Sequence, residues 1–284
     1  MTRWIEETLY THWGQRLAVE KVLFEDKTGH QHLIIFENAR LGRVMMLDGA
    51  VQVTLADEWV YHEMMAHVPL FALKEPKSVL IIGGGDGGIL REVLKHPSVK
   101  VATLCEIDST VIDMSIKHFP EISSGAFDHP RAEIVIADGV EFVGTTQLRF
   151  DAILVDSTDP VGPGAVLFTK QFYAACRNCL KKGGVLVTQN GVPFMQPDEL
   201  QTSVAHFRAL FQDGRAYLAT VPTYVGGQMA FGWASDDVKL RAVKLSEIRE
   251  RFAAANFSTK YYTPAVHKAA FAVPAYIERL FAEP

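Results

Sequence analysis

The feature that most constrains the fold is a short apolar run that leads directly into a glycine cluster. Residues 79–82 read Val-Leu-Ile-Ile, and residues 83–88 read Gly-Gly-Gly-Asp-Gly-Gly. An apolar run of this length, followed by glycines and a helical segment at 89–95, is typical of a buried strand that ends in a ligand-binding loop. Glycine lets a ligand approach the backbone closely there. The pattern therefore predicts an α/β domain with a nucleotide-like ligand at the end of its first strand.

The alternation of strand and helix continues through the rest of the chain. Alternation with helices of about a dozen residues is typical of a mostly parallel, doubly wound sheet. One of the helices is predicted at 169–180, ending at the Lys-Lys-Gly-Gly of 181–184. We expect seven strands in this sheet, at 79–82, 99–105, 132–137, 151–155, 185–189, 215–221 and 228–234.

The first 56 residues have a different pattern. Short apolar runs recur between 33 and 54, and Asp48-Gly49 separates two of them, which favours a type I′ hairpin. We therefore predict a small antiparallel β-domain at 1–56 and a Rossmann-like domain at 57–284. Asp57 is predicted to cap the helix that joins them, and Pro69 to kink or shorten that helix.

Composition and charge exclude several classes of protein. Of the 284 residues, 48% are hydrophobic, which is enough for a sizeable core. The net charge of −5 disfavours a nucleic-acid-binding protein. No apolar run approaches the roughly 18 residues of a membrane-spanning helix. The first ten residues lack a secretory pattern, and an odd count of three cysteines suggests reduced thiols, so we expect a cytoplasmic protein.

Two motifs resemble metal sites but fit another explanation better. Cys176 and Cys179 have CxxC spacing, yet they continue an apolar stripe at helical spacing and no second ligand pair follows. His62 and His67 flank a Glu-containing segment, but an i, i+5 spacing on a helix separates them by about 140°, unlike the i, i+4 pair of a zinc protease. We therefore expect no metal site.

Four consecutive predicted strands are followed by a carboxylate. Asp86, Glu106, Asp138 and Asp156 stand at these positions. In an open α/β sheet, ligands bind outside the carboxyl ends of the strands, so the four side chains are expected at one rim. Capping of the following helix explains any one of them, but four in succession point to a ligand.

The charges of this rim favour a cationic ligand. Asp86 would repel the pyrophosphate of a dinucleotide by about 1 kcal/mol per charge pair even in water, which argues against NAD. Glu106 is placed to accept the hydroxyls of a ribose, and Asp138 the amine of adenine. Asp86, Asp156 and Asp159 then suit a sulfonium, an amine or both. A site for Mg²⁺ or Ca²⁺ is the competing interpretation.

Together, these motifs resemble the spermidine synthase family of polyamine aminopropyltransferases. The resemblance extends from about residue 4 to 281. It implies a Rossmann-like class I methyltransferase fold preceded by an N-terminal β-domain. The motifs that carry it are Tyr61-His62-Glu63, the 83–88 cluster, Glu106-Ile-Asp108, Asp138-Gly139, Asp156-Ser-Thr-Asp159-Pro160 with Gly162-Pro163, Gln189-Asn-Gly191 and Pro222-Thr-Tyr224-x-Gly226-Gly227.

The resemblance also implies a reaction, the transfer of an aminopropyl group from decarboxylated S-adenosylmethionine to putrescine. No permanently bound cofactor is expected, and family members form homodimers or homotetramers. Residues 157–166 would be a gate that orders over the substrates. The resemblance implies that the methylthioadenosine part is held by Gln31, Glu106, Asp138, Gly139 and Pro163, and that Asp86 binds the aminopropyl amine. It implies two catalytic residues, Asp156 as the proton acceptor and Tyr61 beside it. The amine channel would be lined by Tyr61, His62, Asp159 and Tyr224.

Three alternatives remain at this stage. An amine N-methyltransferase on the same fold would use ordinary S-adenosylmethionine, and Asp86 weighs against it. An NAD-dependent oxidoreductase is disfavoured by the same carboxylate. A catalytically idle binding protein would not need Asp156, Asp159 and Tyr61 together. The preferred acceptor, whether putrescine, cadaverine, agmatine or a longer polyamine, stays open.

Overall fold

The N-terminal part of the chain is built from antiparallel strands. The computed structural model describes residues 3–160 and 162–282, apart from the side chain of Pro163. Two strands form a separate ribbon, and the next four form one antiparallel sheet in chain order. These strands are β1 (Arg3–Glu6), β2 (Arg16–Val19), β3 (Lys21–Lys27), β4 (His32–Asn38), β5 (Gly42–Leu47) and β6 (Ala50–Thr54).

The turn between β5 and β6 has the conformation that its sequence predicts. Asp48 and Gly49 have φ angles of 47° and 81°, both positive, as a type I′ turn requires. The Asp48 carboxylate also accepts a hydrogen bond of 2.8 Å from the backbone N–H of His32. The turn is thereby tied to the start of β4.

A larger sheet follows, and it confirms the predicted doubly wound architecture. Within the described residues it has seven strands, in the order β12-β13-β11-β10-β7-β8-β9. β13 runs antiparallel to both of its neighbours, and the other pairs are parallel. The strands are β7 (Ser78–Gly83), β8 (Val101–Glu106), β9 (Ala132–Ile136), β10 (Phe150–Asp156), β11 (Leu180–Gln189), β12 (Asp213–Ala219) and β13 (Met229–Ser235).

Helices cover both faces of this sheet. Alternate residues of β7 belong to different core clusters: Val79 and Ile81 to the one that includes α1 and α2, and Leu80 and Ile82 to the one that includes α6 and α7. The helices are α1 (Glu58–Ala72), α2 (Gly88–Leu94), α3 (Ser109–His118), α4 (Pro120–Ser123), α5 (Gly139–Thr145), α6 (Lys170–Cys179), α7 (Pro197–Leu210), α8 (Leu245–Ala255), α9 (Pro264–Ala270) and α10 (Ala275–Ala282).

The start and end of α1 differ from the sequence prediction. Asp57 precedes the helix, but its side chain does not cap it. Its carboxylate accepts hydrogen bonds from Thr54 Oγ1 at 2.6 Å and from the N–H of Thr223 at 2.8 Å, so it links β6 to the segment before β13 instead. The helix also continues past Pro69 and ends at Ala72.

The predicted end of the 169–180 helix needs a smaller correction. α6 ends at Cys179 and β11 begins at Leu180, so residues 181–184 lie in the strand. The pairing of β11 with β10 shifts register there, and Gly183 has a φ of 77°. The glycines therefore form an irregularity in the sheet rather than a helix terminus.

Cys176 and Cys179 confirm the prediction of a packed helix face. Both side chains are buried on α6 and neither is in a disulfide. Among the described residues, no helix combines the length and apolar character needed to cross a membrane.

Candidate active site

A cavity of about 380 Å³ lies at the carboxyl ends of the central parallel strands. The four carboxylates that the sequence places after β7, β8, β9 and β10 all line it. The topology explains this, because parallel strands in one sheet present their carboxyl ends at one edge. The cavity wall is therefore strongly anionic along the sheet. The four residues are Asp86, Glu106, Asp138 and Asp156.

Asp156 ends β10 and accepts a hydrogen bond from a helix packed beside the sheet. The hydroxyl of Tyr61, on α1, donates a hydrogen bond of 2.6 Å to Asp156 Oδ1. Burial, and then the charge of Asp86, raises the pKa of Asp156 to about 7, although the Tyr61 hydrogen bond opposes the shift. A carboxylate with a pKa near neutrality is able to take and release a proton at physiological pH.

Asp86 lies in the glycine loop and is held by two contacts. The backbone N–H of Gly88 donates to its Oδ1 at 2.7 Å, and Nε2 of His62 lies 3.1 Å from its Oδ2. Nδ1 of His62 in turn lies 2.6 Å from Glu58 Oε2. His62 therefore lies between two carboxylates, and Asp86 both contacts the first residue of α2 and lines the cavity.

Glu106 ends β8, and Asp138 follows the neighbouring strand β9. Glu106 is buried at the end of β8 and accepts a 3.0 Å hydrogen bond from the N–H of Asp108. Burial raises the pKa of Glu106. Asp138 caps α5 through a 2.7 Å bond to the N–H of Val140. At Gly139 a side chain would overlap Ile82, so the backbone there lies directly on β7.

Gln31 reaches the same cavity from the N-terminal sheet. It lies just before β4, and its Nε2 donates to Asp108 Oδ2 at 3.3 Å. Thr28 Oγ1 donates to the same oxygen at 2.7 Å. Asp108, which also caps α3, thus joins the N-terminal region to the Rossmann-like domain beside the Glu106 position.

The far end of the cavity is built around Asp159. Its Oδ1 accepts a hydrogen bond of 2.7 Å from Gln196 Nε2, and Gln196 Oε1 accepts one of 3.2 Å from the hydroxyl of Tyr10. Burial raises the pKa of Asp159. Tyr224 lines the cavity with its ring, which is edge-on to Tyr61 at 6.1 Å, while its hydroxyl donates to the backbone carbonyl of Gln52.

Sequence reasoning missed three residues of this end, namely Glu7, Tyr10 and Gln196, which all line the cavity. Tyr10 and Gln196 are 186 positions apart, so neither belongs to a local motif. The sequence contains one signal for Glu7, which is a carboxylate near the N-terminus with no obvious structural role. The neighbouring Glu6 has the same property, so the signal does not distinguish the two.

The predicted gate at 157–166 is described only in part. Residues 162–168 form a 3₁₀ helix, and Gly164 and Val166 line the cavity. Position 161 and the side chain of Pro163 lie outside the described residues, so the predicted contact of Pro163 stays a prediction.

The histidine pair that resembles a zinc motif is split between different partners. His62 faces Glu58 and Asp86, whereas Nδ1 and Nε2 of His67 lie 3.0 Å from His96 and 3.0 Å from Glu92. In the described part of the chain, no group of three or more His, Cys, Asp or Glu side chains is arranged to hold a metal ion.

Comparison with known proteins identifies the family. The model of the spermine/spermidine synthase domain matches residues 58–246, and that of the spermidine synthase tetramerisation domain matches residues 3–54. Polyamine aminopropyltransferase 1 of Pseudomonas aeruginosa is 55% identical over 272 residues, which are 96% of this chain and 95% of that protein. Polyamine aminopropyltransferase of a Ruegeria species is 54% identical and covers 98% of each chain.

Solved structures give the same result. A spermidine synthase in complex with the transition-state analogue AdoDATO has a TM-score of 0.93 and 40% identity, and the match covers 99% of this chain and 97% of that one. Spermidine synthase from Thermotoga maritima has a TM-score of 0.90 and 39% identity, with 99% and 96% coverage. The predicted Rossmann-like, methyltransferase-type fold is therefore confirmed, and the chain belongs to the spermine/spermidine synthase family.

Proposed function

We propose that this protein transfers the aminopropyl group of decarboxylated S-adenosylmethionine to putrescine and so produces spermidine and 5′-methylthioadenosine. The observation that carries the proposal is Asp156, a half-buried carboxylate of raised pKa that accepts a hydrogen bond from Tyr61 in an anionic cavity. The similar proteins are named polyamine aminopropyltransferases, and a similar structure holds a transition-state analogue. Methyl transfer from ordinary S-adenosylmethionine is not favoured by these relatives.

The donor is assigned to the side of the cavity formed by β8 and β9. Glu106 accepts hydrogen bonds from the ribose hydroxyls, and Asp138, Gly139 and Gln31 surround the adenine and methylthio parts. Asp86 binds the ammonium of the aminopropyl arm. The decarboxylated donor carries a sulfonium and an ammonium but no carboxylate, so its charges are complementary to the carboxylates that line the cavity.

The acceptor is assigned to the other end of the cavity. Asp159 binds the distal ammonium, while the rings of Tyr61 and Tyr224 flank the methylene chain. His62 is given a smaller part in acceptor binding than the resemblance implies, because both of its ring nitrogens already face carboxylates.

In the reaction, the amine nitrogen forms a bond to the carbon next to the sulfonium, and the carbon–sulfur bond breaks. The bonding pair stays on sulfur, which leaves as neutral methylthioadenosine. The acceptor amine is protonated near pH 7, because its unperturbed pKa is close to the 10.4 of a lysine. Asp156 takes that proton before or during attack, and the raised pKa of Asp156 narrows the difference between the two groups. Alignment of nitrogen, carbon and sulfur supplies the rest of the rate.

The same carboxylates predict a preference for the decarboxylated donor. Ordinary S-adenosylmethionine carries a carboxylate on the carbon next to its amine, which would lie near Asp86 and Asp156. Like charges a few ångströms apart in a partly dry cavity cost several kcal/mol, or about 4 kcal/mol at 4 Å for an effective dielectric constant of 20. We therefore expect strong discrimination between the two sulfonium compounds.

A donor–acceptor matrix tests the proposal. Purified protein is incubated with either sulfonium donor and with putrescine, cadaverine, agmatine or spermidine, and the products are identified by mass spectrometry. Formation of spermidine and methylthioadenosine from the decarboxylated donor and putrescine is expected, and relative rates rank the acceptors. Consumption of ordinary S-adenosylmethionine alone, with a methylated amine as product, would overturn the proposal.

The oligomeric state, the cellular location and the domain boundary are each supported by a different observation. The match of residues 3–54 to a tetramerisation domain supports a homo-oligomer, and we propose a tetramer formed through this region. Three buried, unpaired thiols support a cytoplasmic location. The change from the antiparallel sheet to α1 supports a boundary between 56 and 57.

A further inference from the structure

We propose that Glu58, held by Arg91, is a positioning residue for the reaction, because it orients the ring of His62 and this ring in turn fixes Asp86 in the cavity wall. The inference rests on the proposed function, in which Asp86 binds the donor amine. Glu58 itself does not touch the donor in this scheme, so it acts through His62.

The contacts form a continuous series of three side chains. Glu58 and His62 lie one turn apart on α1, with Oε2 and Nδ1 separated by 2.6 Å. Nε2 of the same ring lies 3.1 Å from Asp86 Oδ2. An ionised carboxylate only accepts hydrogen bonds, so the ring donates to both carboxylates only when both of its nitrogens are protonated. A neutral ring would leave one of the two contacts without a proton.

Arg91 fixes the outer end of the series. Its guanidinium donates to both oxygens of Glu58, at 2.9 Å and 3.3 Å, and to the carbonyl of Ile122 at 2.6 Å. Such a bidentate pair restricts the carboxylate more than a single contact does. Glu58 is 8% exposed and His62 is 2% exposed, so neither side chain has room for another orientation.

The first residue of α2 closes the remaining space around the ring. A side chain at Gly88 would overlap the imidazole of His62, so glycine is required there. The backbone N–H of Gly88 also holds the second oxygen of Asp86, at 2.7 Å. The imidazole and the carboxylate are therefore both immobilised by the same turn of α2. One glycine of the 83–88 cluster thus makes room for a protein side chain, whereas the sequence suggested a ligand.

The charge of the ring matters because two carboxylates share one wall of the cavity. Asp86 and Asp156 repel each other, and without a nearby cation one member of such a pair holds a proton. Burial lowers the pKa of His62, but Asp86 and Glu58 outweigh it and raise the value to about 10. The cationic ring in turn lowers the pKa of Asp156 relative to a site with a neutral ring. The charged and titratable groups around His62 and Asp156 are Glu58, Tyr61, Asp86, Arg91, Glu106 and Tyr224.

The test compares two glutamates of the same helix. Glu58→Gln removes the carboxylate that faces His62. Glu63→Gln is the matched control, because Glu63 is also buried but accepts hydrogen bonds from the backbone of Lys260 and Tyr261, away from the cavity. Values of kcat and KM are measured from pH 5.5 to 9.5, together with the thermal midpoint.

We expect Glu58→Gln to raise the KM for the decarboxylated donor about tenfold. The acid limb of kcat should also move up by about one pH unit, because Asp156 loses a neighbouring cation. Glu58→Asp, which keeps the charge, should restore part of the pH shift. Glu63→Gln should lower the thermal midpoint without moving either quantity. Equal pH profiles for the two Gln variants would assign Glu58 a structural role only and overturn the proposal.

Nitrogen-15 NMR of the histidine rings gives a readout that does not depend on turnover. His62, assigned with His62→Gln, should have two protonated ring nitrogens at pH 8 in the parent and lose one of these protons in Glu58→Gln. An unchanged doubly protonated ring would overturn the proposal. If the His62 ring loses a proton in Glu58→Gln but the parent protein shows no aminopropyl transfer, the proposed function is rejected. The positioning of Asp86 by Glu58 and His62 then still stands. If Glu58→Gln does not fold, Arg91→Lys takes its place, with a smaller shift in the same direction.

Discussion

Two ends of one helix carry similar residues in different surroundings. In the first half of α1, His62 lies between the carboxylates of Glu58 and Asp86, beside the cavity. In the second half, His67 also contacts a glutamate, Glu92, at 3.0 Å, but its other nitrogen faces a second imidazole, that of His96. Both histidines are buried, and they are five positions apart in the sequence.

Aromatic side chains pack around His67 in the second half of α1. The rings of Phe71, Phe257 and Tyr262 lie 5.1 to 5.9 Å from that of His67, and Phe71 also stacks on Tyr262. Burial, followed by the neighbouring His67, lowers the pKa of His96 well below its usual value. The ring of His96 is therefore uncharged and lies in an apolar cluster at this end of the helix.

The difference shows that the neighbours of a histidine determine its task, and that the spacing of a motif does not. At the cavity end, two carboxylates keep a ring cationic next to a proposed catalytic base. At the aromatic end, a related pair packs the helix against α2 and the segment after α8. Changes at the first end should alter chemistry, and changes at the second should alter stability.

The largest effect is expected at the cavity end, from Asp156→Asn. The variant retains the size of the side chain but cannot take the proton of the acceptor amine. General-base catalysis contributes about 10²- to 10⁴-fold, so we expect kcat to fall by about 10³-fold. Steady-state kinetics with the decarboxylated donor and putrescine measure the loss, and calorimetry should show nearly unchanged binding of methylthioadenosine.

Stability provides the control for this variant. The pKa of Asp156 is raised in the folded protein, from an ordinary 3.8 to about 7, so the stability that protonation contributes is lost as the pH rises through this range. Asp156→Asn removes the half-buried charge and should raise the thermal midpoint more at pH 8 than at pH 5. Normal turnover in this variant would remove Asp156 from the mechanism.

The second prediction concerns the aromatic end, where Phe71→Ala should act on stability alone. Phe71 is 3% exposed and contacts the rings of His96, Phe252 and Tyr262. Truncation of a buried phenylalanine costs about 3–5 kcal/mol of unfolding free energy. Chemical denaturation measures this loss. The kcat per folded molecule should stay within about twofold of the parent, and a tenfold fall would show that the two ends of α1 are coupled.

Much of the fold follows from local sequence, and the exceptions have physical causes. The seven strands of the large sheet are apolar because the sheet is covered on both faces. Their predicted bounds agree with the structure to within two residues, except that β11 begins five residues earlier than predicted. β1 was not predicted, because it is mostly exposed and lacks an apolar face. α4 and α9 have four and seven residues, so tertiary contacts rather than periodicity hold them.

Some residues of the candidate site can also be placed from local sequence, and others cannot. Asp86, Glu106, Asp138 and Asp156 could be placed together from sequence, because the topology of a parallel sheet brings its strand ends to one edge. The contact of Tyr10 with Gln196 could not, since it joins segments that are 186 positions apart in the sequence. The environment of His62 was equally inaccessible, because it depends on how closely α1 and α2 approach at Gly88.

The third prediction is the pH dependence of the parent enzyme. The proposed mechanism requires the base form of Asp156, and the pKa of this carboxyl is raised to about 7, chiefly by burial. We expect kcat to fall about tenfold per pH unit below this value and to level off above it. A profile measured at saturating donor and acceptor tests this. An acid limb near pH 4 would mean that the carboxylate is more solvated than its burial indicates.

The smallest effect, and the sharpest comparison between the two ends, is expected from His67→Gln. The substitution weakens the contacts to Glu92 and His96, but Glu92 keeps its hydrogen bonds from Arg91 at 2.6 Å and Lys95 at 2.8 Å. Loss of a buried hydrogen bond costs about 1–2 kcal/mol, which denaturation in urea resolves. The kcat, both KM values and the acid limb should match those of the parent, since Arg91 still holds Glu58 from its own side. A shifted acid limb would show that charge at the aromatic end reaches Asp156 through Arg91, and the two ends would then form one electrostatic unit.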